Sequence, residues 1–107
     1  MSEFIATRNK GFQMVFKNGF TISVQWGPEN YCERKFDTDL DAPKENKFWN
    51  SKSAEIAVLG KKGEFIRIAD DAVAGWLTTD KVAKCITVVQ SATTKEEIET
   101  KLKALNI

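Results

Sequence analysis

Apolar and polar residues alternate along two stretches of the chain, which is the pattern of half-buried β-strands. The first stretch covers residues 11–26 and the second covers residues 54–68. Each is interrupted once by a short segment that ends in glycine, Lys17-Asn18-Gly19 in the first and Lys61-Lys62-Gly63 in the second. The pattern therefore predicts two β-hairpins.

The register of the first hairpin follows from keeping its apolar side chains on one face of the sheet. A two-residue turn at Asn18-Gly19 would put the apolar faces of the two strands on opposite sides. A three-residue loop aligns them instead, because it pairs Phe16 with Phe20, Met14 with Ile22 and Phe12 with Val24. Gly19 then stands where the loop needs a left-handed backbone, so we predict the three-residue loop.

The second hairpin follows the same reasoning. A loop over residues 61–63 pairs Val58 with Ile66 and Ile56 with Ile68, and Gly63 takes the part that Gly19 has in the first loop. The segment Asp70-Asp71 comes next, and we expect it to form a turn that enters a short helical segment over residues 72–76.

The last third of the chain favours two helices. Thr78 or Thr79 is suited to cap a helix that opens with Asp80, and apolar residues then recur at helical spacing. Residues 85–89 are rich in β-branched side chains, so a strand there is the alternative. The pairs Thr93 with Glu96 and Thr94 with Glu97 both fit a capping box for a second helix, whose apolar stripe is Ile98, Leu102 and Leu105.

The order of these elements predicts a single α+β domain over residues 1–107. Its antiparallel sheet has about four strands, contributed by the two hairpins, and two C-terminal helices pack on one face. Residues 27–52 form a long connection rich in turn formers and charges. We expect its aromatic residues to attach it to the body of the domain, namely Phe36, Phe48 and Trp49.

Composition agrees with a small globular domain. The chain has 107 residues, 42% of them hydrophobic, and 16 Lys and Arg against 15 Asp and Glu give a formal net charge of +1. A dedicated nucleic-acid binder usually shows a strong basic excess, so this balance weighs against that class. No apolar run approaches the roughly 18 residues of a membrane span, and residues 1–11 lack the apolar core of a signal peptide. We therefore predict a cytoplasmic protein with two reduced thiols, Cys32 and Cys85.

The absence of histidine excludes several kinds of catalytic site. A Ser-His-Asp triad, a Cys-His dyad and a His-ligated zinc site all require imidazole. Asp37-Thr38-Asp39-Leu40-Asp41 resembles the start of a calcium loop, but the sixth position is Ala42 and the twelfth is Phe48, where an EF-hand needs glycine and glutamate. We predict no metal site, no cofactor and no enzymatic activity. An enzyme built on Cys32, with Arg34 and Lys35 to lower the thiol pKa, is the weakest alternative.

The segment after the first hairpin concentrates binding chemistry. Between residues 30 and 35 it holds an amide, a phenol, a thiol, a carboxylate and two cations, directly after a strand that ends in Trp26. Loops held by rigid strands often carry binding residues. The predicted ligand-binding residues are Trp26, Asn30, Tyr31, Arg34 and Lys35. The aromatic rings are suited to stacking and the cations to a phosphate or carboxylate. The alternative is a plain surface turn with Tyr31 and Cys32 packed inward.

The chain holds two further signals of a binding surface. It has three tryptophans, Trp26, Trp49 and Trp76, and an exposed one would mark an interface, because Trp and Tyr anchor protein–protein contacts. Lysines near Phe48 and Trp49 are the basis of an alternative function, a small nucleic-acid binder that stacks single-stranded bases. Those lysines are Lys44, Lys47, Lys52, Lys61 and Lys62.

Two stretches, about residues 11–35 and 53–83, resemble small phage-encoded proteins of unknown function. The shared pattern is Asn18-Gly19-Phe20-Thr21-Ile22-Ser23-Val24-Gln25-Trp26-Gly27-Pro28, then Asn30-Tyr31-Cys32, with a strand at residues 54–57 and an acidic turn leading to Gly75-Trp76. The resemblance implies a viral accessory protein that acts in a bacterial cytoplasm, and it supplies no active site. The predicted function is a non-enzymatic binding module that modulates a host process, by binding a host protein or by sequestering a small anionic ligand such as a signalling nucleotide. A homo-oligomer is compatible with the sequence.

Overall fold

The computed structural model describes residues 2–7, 10–35 and 50–107. Within them, the chain forms an antiparallel sheet of six strands followed by two helices. The strands are β1 Glu3–Ala6, β2 Gly11–Val15, β3 Thr21–Gln25, β4 Ala54–Leu59, β5 Phe65–Ile66 and β6 Ala74–Leu77. The helices are α1 Thr79–Ser91 and α2 Lys95–Ala104. The predicted α+β class is confirmed, and the sheet has more strands than the four expected.

The strands lie in the order β1-β2-β3-β4-β5, and β6 also pairs with β4. β5 pairs with the C-terminal end of β4, where Val58 lies opposite Ile66, and β6 pairs with the N-terminal end, where Ala54 lies opposite Leu77. β4 therefore contacts three strands. Neither β1 nor β6 shows clear alternation in the sequence, since every residue of β1 is exposed and β6 is short and contains a glycine.

The first hairpin has the predicted register. Met14 lies opposite Ile22 and Phe12 opposite Val24, and the Phe16 amide donates to the Phe20 carbonyl across 2.9 Å. Gly19 has a φ of 91°, the left-handed conformation that the three-residue loop requires.

The second hairpin is confirmed only next to its loop. Val58 pairs with Ile66 as predicted, but Ile56 pairs with Ala74 of β6 and not with Ile68. The chain leaves the sheet after β5, makes a tight turn and returns as β6. The helical segment expected over residues 72–76 is therefore wrong, because this segment supplies the backbone hydrogen-bond partner for the N-terminal half of β4.

The core lies between one face of the sheet and the helices. Ile22, Val24, Ile56 and Val58 alternate with outward-facing residues and are all buried, and α1 contacts β3 and β4 while α2 contacts β5. The helical side of the core comprises Val82, Cys85, Val89, Ile98 and Leu102. Residues 85–89 are thus helical, since burying this stripe against the sheet outweighs their β propensity.

The first hairpin is also attached to the end of α1. The Asn18 side-chain amide donates to the Val89 and Ala92 carbonyls, each at 2.9 Å, and to the Gln90 carbonyl at 3.2 Å. The last carbonyls of a helix have no partner within it, so this amide satisfies groups that would otherwise need water. The turn residue Asn18 therefore fixes α1 against the sheet.

The turn between β5 and β6 contains two left-handed residues that are not glycine. Ile68 and Asp71 exchange backbone hydrogen bonds of 2.7 and 3.0 Å around Ala69 and Asp70, whose φ angles are 50° and 69°. Positive φ at both central positions is the type I′ turn, which favours Asn followed by Gly. Ala69 is strained there, because its Cβ crowds the following carbonyl.

We expect Ala69→Asn to raise the free energy of unfolding by about 0.5–1 kcal/mol, since asparagine tolerates the left-handed conformation. Chemical denaturation measures the change. Ala72→Gly is the matched control, because Ala72 is exposed and its φ is not positive, and it should destabilise the fold. A neutral or destabilising Ala69→Asn would contradict the assigned strain.

The N-terminus of α2 is held by two threonines and Glu97. Thr94 is the N-cap, as one predicted capping box requires, and its hydroxyl accepts from the Glu97 amide at 3.1 Å. The Glu97 carboxylate accepts from Lys101 at 2.7 Å and from the Thr93 amide at 3.0 Å and hydroxyl at 3.1 Å. The Lys101 hydrogen bond and those from Thr93 lower the pKa of Glu97 from 4.5 to about 2.

The Glu97 carboxyl should therefore remain ionised at about pH 3, which carboxyl-resolved NMR titration can measure. Because its folded pKa is the lower one, its contribution to stability is present above pH 4.5 and is lost as the pH falls toward about 2. Glu97→Gln should remove this part of the acid dependence of unfolding. An ordinary titration of Glu97 would contradict the assignment.

Candidate functional site

The first part of the predicted binding loop is held from the sheet face opposite the helices. Glu55 alternates in β4 with the buried Ala54 and Ile56, so its side chain projects away from the core. Its two carboxylate oxygens accept from the Asn30 side-chain amide at 3.1 Å and from the Tyr31 backbone amide at 3.0 Å. Glu55 therefore attaches the loop to the central strand.

The start of the loop is a compact turn closed by Asn30. The Asn30 side-chain oxygen accepts a hydrogen bond from the Gly27 backbone amide at 2.9 Å. The Asn30 backbone amide donates to the Gly27 carbonyl at 3.0 Å. The Cys32 thiol donates to the same carbonyl at 3.4 Å. With its side chain bonded to both Gly27 and Glu55, Asn30 holds the loop in shape.

A β-bulge in β6 meets this loop. β6 places two residues, Gly75 and Trp76, opposite the single residue Glu55 of β4. Trp76 has a φ of 59°, and its amide donates to the Tyr31 carbonyl at 2.8 Å. A Cβ on Gly75 would lie 2.4 Å from the Tyr31 Cβ, so only glycine fits at this approach.

The bulge and the loop join the backbones of two exposed aromatic residues. Tyr31 is 48% exposed and Trp76 is 55% exposed, and the Lys35 ammonium lies 4.3 Å from the centre of the Tyr31 ring. We call Tyr31, Lys35 and Trp76 the aromatic surface. Exposed aromatic anchors beside a cation are typical of contact surfaces, because they combine large apolar area with polar groups.

The second half of the loop is attached to residues 50–53. The Arg34 guanidinium donates to the Asn50 carbonyl and, at 2.7 Å, to the Asn50 side-chain oxygen. The Glu33 carboxylate accepts from the Lys52 amide at 2.7 Å, and the Glu33 amide donates to the Ser53 hydroxyl at 2.9 Å. Arg34 therefore serves in the structure of the loop.

Trp26 lies apart from the other predicted site residues. It is half-buried on the helix-bearing face, packs against the core and meets Phe12 edge-to-face with ring centres 6.2 Å apart. There it lines an apolar cleft of about 360 Å³ between the sheet and α1. Because Tyr31 is bound by Glu55 on the opposite face, the structure does not bring Trp26 and Tyr31 into one site.

The two cysteines are both buried thiols. Burial raises the pKa of Cys32, and it raises the pKa of Cys85 to about 11. The thiolate is the reactive form of cysteine, so these shifts oppose nucleophilic chemistry at neutral pH. The alternative prediction was a surface turn with Tyr31 and Cys32 packed inward. In the structure Cys32 is buried, whereas Tyr31 is half exposed.

The lysines proposed for nucleic-acid binding do not form one patch among the described residues. Lys52 precedes β4, whereas Lys61 and Lys62 follow it, so they lie at opposite ends of a strand about 20 Å long. The Lys61 ammonium lies 5.6 Å from the Phe20 ring centre. Phe36, Lys44, Lys47, Phe48, Trp49 and the acidic segment 37–41 lie outside the described residues.

Sequence reasoning missed three residues of the site. Glu55 reads as an ordinary outward-facing strand residue, and Gly75 and Trp76 were expected in a helical segment. Trp76 was one of three tryptophans that could have been exposed, and only the pairing of β6 shows which one is. The Gly-Trp pair was the available signal, since glycine in a strand often marks a bulge.

Comparisons with known proteins add no relative, since no protein-family model, curated protein or solved structure matches the chain. Across residues 2–7, 10–35 and 50–107, no group of three or more Cys, Asp or Glu residues is placed to hold a metal ion. Nor is any helix in these ranges long and apolar enough to cross a membrane.

We expect Glu55→Ala to lower the free energy of unfolding by about 1.5–3 kcal/mol, because it removes hydrogen bonds that a carboxylate accepts from Asn30 and Tyr31. Denaturant unfolding measures this change. The exposed Glu29 lies in the same loop, and Glu29→Ala should leave stability within about 0.5 kcal/mol of the wild type. Equal effects of the two substitutions would refute the anchoring role of Glu55.

Proposed function

We propose that the protein is a non-enzymatic binding module that recognises a partner protein through the aromatic surface. The observation that carries this proposal is that two exposed aromatic residues, Tyr31 and Trp76, are joined by a backbone hydrogen bond at a bulge where Trp76 has a positive φ. Large aromatic residues on a rigid support are the usual energetic centre of a protein–protein interface.

The backbone conformation of Trp76 supports the proposal independently. A left-handed conformation costs a non-glycine residue about 1–2 kcal/mol, and a bulky residue rarely adopts it. Glycine would avoid that cost, yet a tryptophan with 55% of its surface exposed stands there. Strained residues of this kind cluster at functional sites. We attribute the presence of tryptophan at this position to binding energy that its exposed ring gains in contact with a partner.

A protein partner fits the charges better than a small anion does. Among the described residues, the Arg34 guanidinium bonds Asn50 and the Lys35 ammonium lies over the Tyr31 ring, so the two cations of the loop have different partners. The resemblance to phage-encoded proteins is the reason for proposing a bacterial host protein as the partner. The module would modulate a bacterial host process by occupying a host protein.

A second candidate function is the sequestration of a small anionic ligand such as a nucleotide. The Lys35–Tyr31 pair favours it, because an exposed ring beside an ammonium can stack a base and meet a phosphate. Native mass spectrometry of the protein with mono-, di- and cyclic nucleotides tests it. A bound mass that Tyr31→Ala removes would support sequestration, and no bound mass across the panel would reject it.

The proposed partner contact predicts that Trp76→Gly abolishes capture of a bacterial partner without unfolding the domain. The substitution loses the buried part of the ring and relieves the left-handed strain, so unfolding free energy should change by no more than about 1 kcal/mol. Trp76→Ala keeps the strain and should be about 1 kcal/mol less stable than Trp76→Gly.

The measurement is affinity capture from bacterial lysate with quantitative mass spectrometry. Tyr31→Ser should also lose the partner, whereas Phe65→Ser should retain it, because Phe65 is an equally exposed aromatic at the β5 edge (61% exposed). A partner that all variants capture equally would show that the contact lies elsewhere. Capture of no protein by the wild type would reject the host-protein form of the proposal.

A further inference from the structure

β1 has one unpaired backbone edge within the described part of the chain. The Thr7 amide donates to the Gly11 carbonyl at 3.1 Å, in line with the register that pairs Ile5 with Gln13. Hydrogen-bonding direction alternates along an antiparallel strand, so the N–H and C=O groups of Phe4 and Ala6 point away from β2. They form an open template for another strand.

The side chains of β1 bury little surface within a single copy of the domain. All four residues of Glu3–Ala6 are exposed, and Phe4 is 79% exposed, the most of any large apolar residue in the described chain. Phe4 lies opposite Met14 and so shares the helix-bearing face of the sheet, although the principal helix contacts are with β3, β4 and β5. Apolar surface therefore continues past the helices to the sheet edge.

The opposite edge of the sheet is formed by β5 and β6. In β6 the Trp76 amide is already bonded to the Tyr31 carbonyl, and β5 is protected against pairing with another strand. β5 has only two residues, charged side chains surround it, and α2 packs against it. The charged residues are Lys62, Glu64 and Arg67. Short edge strands and charges are the devices by which proteins prevent edge-to-edge association. β1 is twice as long as β5, its one charged residue is Glu3, and it has no proline and no lysine, so its edge is less protected than that of β5.

We propose that β1 pairs with β1 of a second copy of this chain, forming one continuous antiparallel sheet across a two-fold dimer. Every molecule carries this edge, and two-fold antiparallel pairing makes it self-complementary. Parallel pairing in register would set the two Glu3 carboxylates side by side, which is unfavourable, whereas antiparallel pairing separates them. The formal net charge of +1 leaves little long-range repulsion between copies.

The two-fold arrangement also covers the apolar residues at the edge. With the axis perpendicular to the sheet, Phe4 of both copies lies on the same face, where the rings extend the apolar row begun by Met14. The dimer does not use Tyr31 or Trp76, because β2, β3 and β4 lie between β1 and β6. Failure of the dimer therefore leaves the proposed function untouched, and loss of partner capture leaves the dimer untouched.

Sedimentation velocity across a concentration series tests the proposal on the full chain. The wild type should approach twice the 12.1 kDa chain mass as concentration rises. Phe4→Lys places a charge at the edge, and Ala6→Pro removes an outward N–H while leaving the hydrogen bonds to β2 in place. Each should weaken association by at least about tenfold. Phe65→Lys, which removes an exposed phenylalanine from the other edge, should associate like the wild type.

Hydrogen exchange supplies a readout specific to the edge. In the wild-type dimer the Phe4 and Ala6 amides should exchange more slowly as concentration rises, while both edge variants keep native circular dichroism. A monomer at every concentration, or a dimer that persists in Phe4→Lys and Ala6→Pro, would overturn the proposal. Rapid exchange of both amides in an associated sample would overturn it too, because the contact would then lie elsewhere.

Discussion

The alternation of side chains along β4 is the constraint on which the rest of the molecule depends. Ile56 and Val58 point into the core beneath the helices, and Glu55 points to the opposite face, where it holds the binding loop. β4 also pairs with β3, β5 and β6. A shift of one residue in the pairing register of β4 would move the core side chains to the opposite face and Glu55 into the core. The register that buries the core therefore also positions the binding loop.

The aromatic surface follows from two local departures from regular sheet structure. The bulge opposite Glu55 directs the Trp76 amide to the Tyr31 carbonyl, and the missing Cβ of Gly75 lets the loop approach β6 closely. Each departure costs stability, through strain in Trp76 and through the backbone freedom of glycine. Burial of the core beneath β4 offsets these costs, so the domain keeps the strained bulge at Gly75 and Trp76.

The sequence predicted what depends on periodicity and turn chemistry. The register of the first hairpin and the helical stripe through Cys85 follow from local patterns, and of the two predicted caps for α1, Thr78 and Thr79, the structure has Thr78. It did not predict β1 or β6, because exposed or short strands carry no alternation. It could not place Trp26 and Tyr31 on opposite faces, since that depends on Glu55, a residue distant in sequence. Asn30 and Arg34 form hydrogen bonds within the protein, and their predicted contact with a ligand stays a prediction.

The bond between the Asn18 amide and the end of α1 spans 71 residues of sequence. A ribosome releases the first hairpin well before it synthesises Val89, so the turn emerges without the acceptors that later hold it. Until α1 is made, the hairpin lacks the helix that packs on its apolar face. Assembly of this domain is thereby tied to completion of α1, and nascent chains that stop before it would carry an uncovered apolar sheet face.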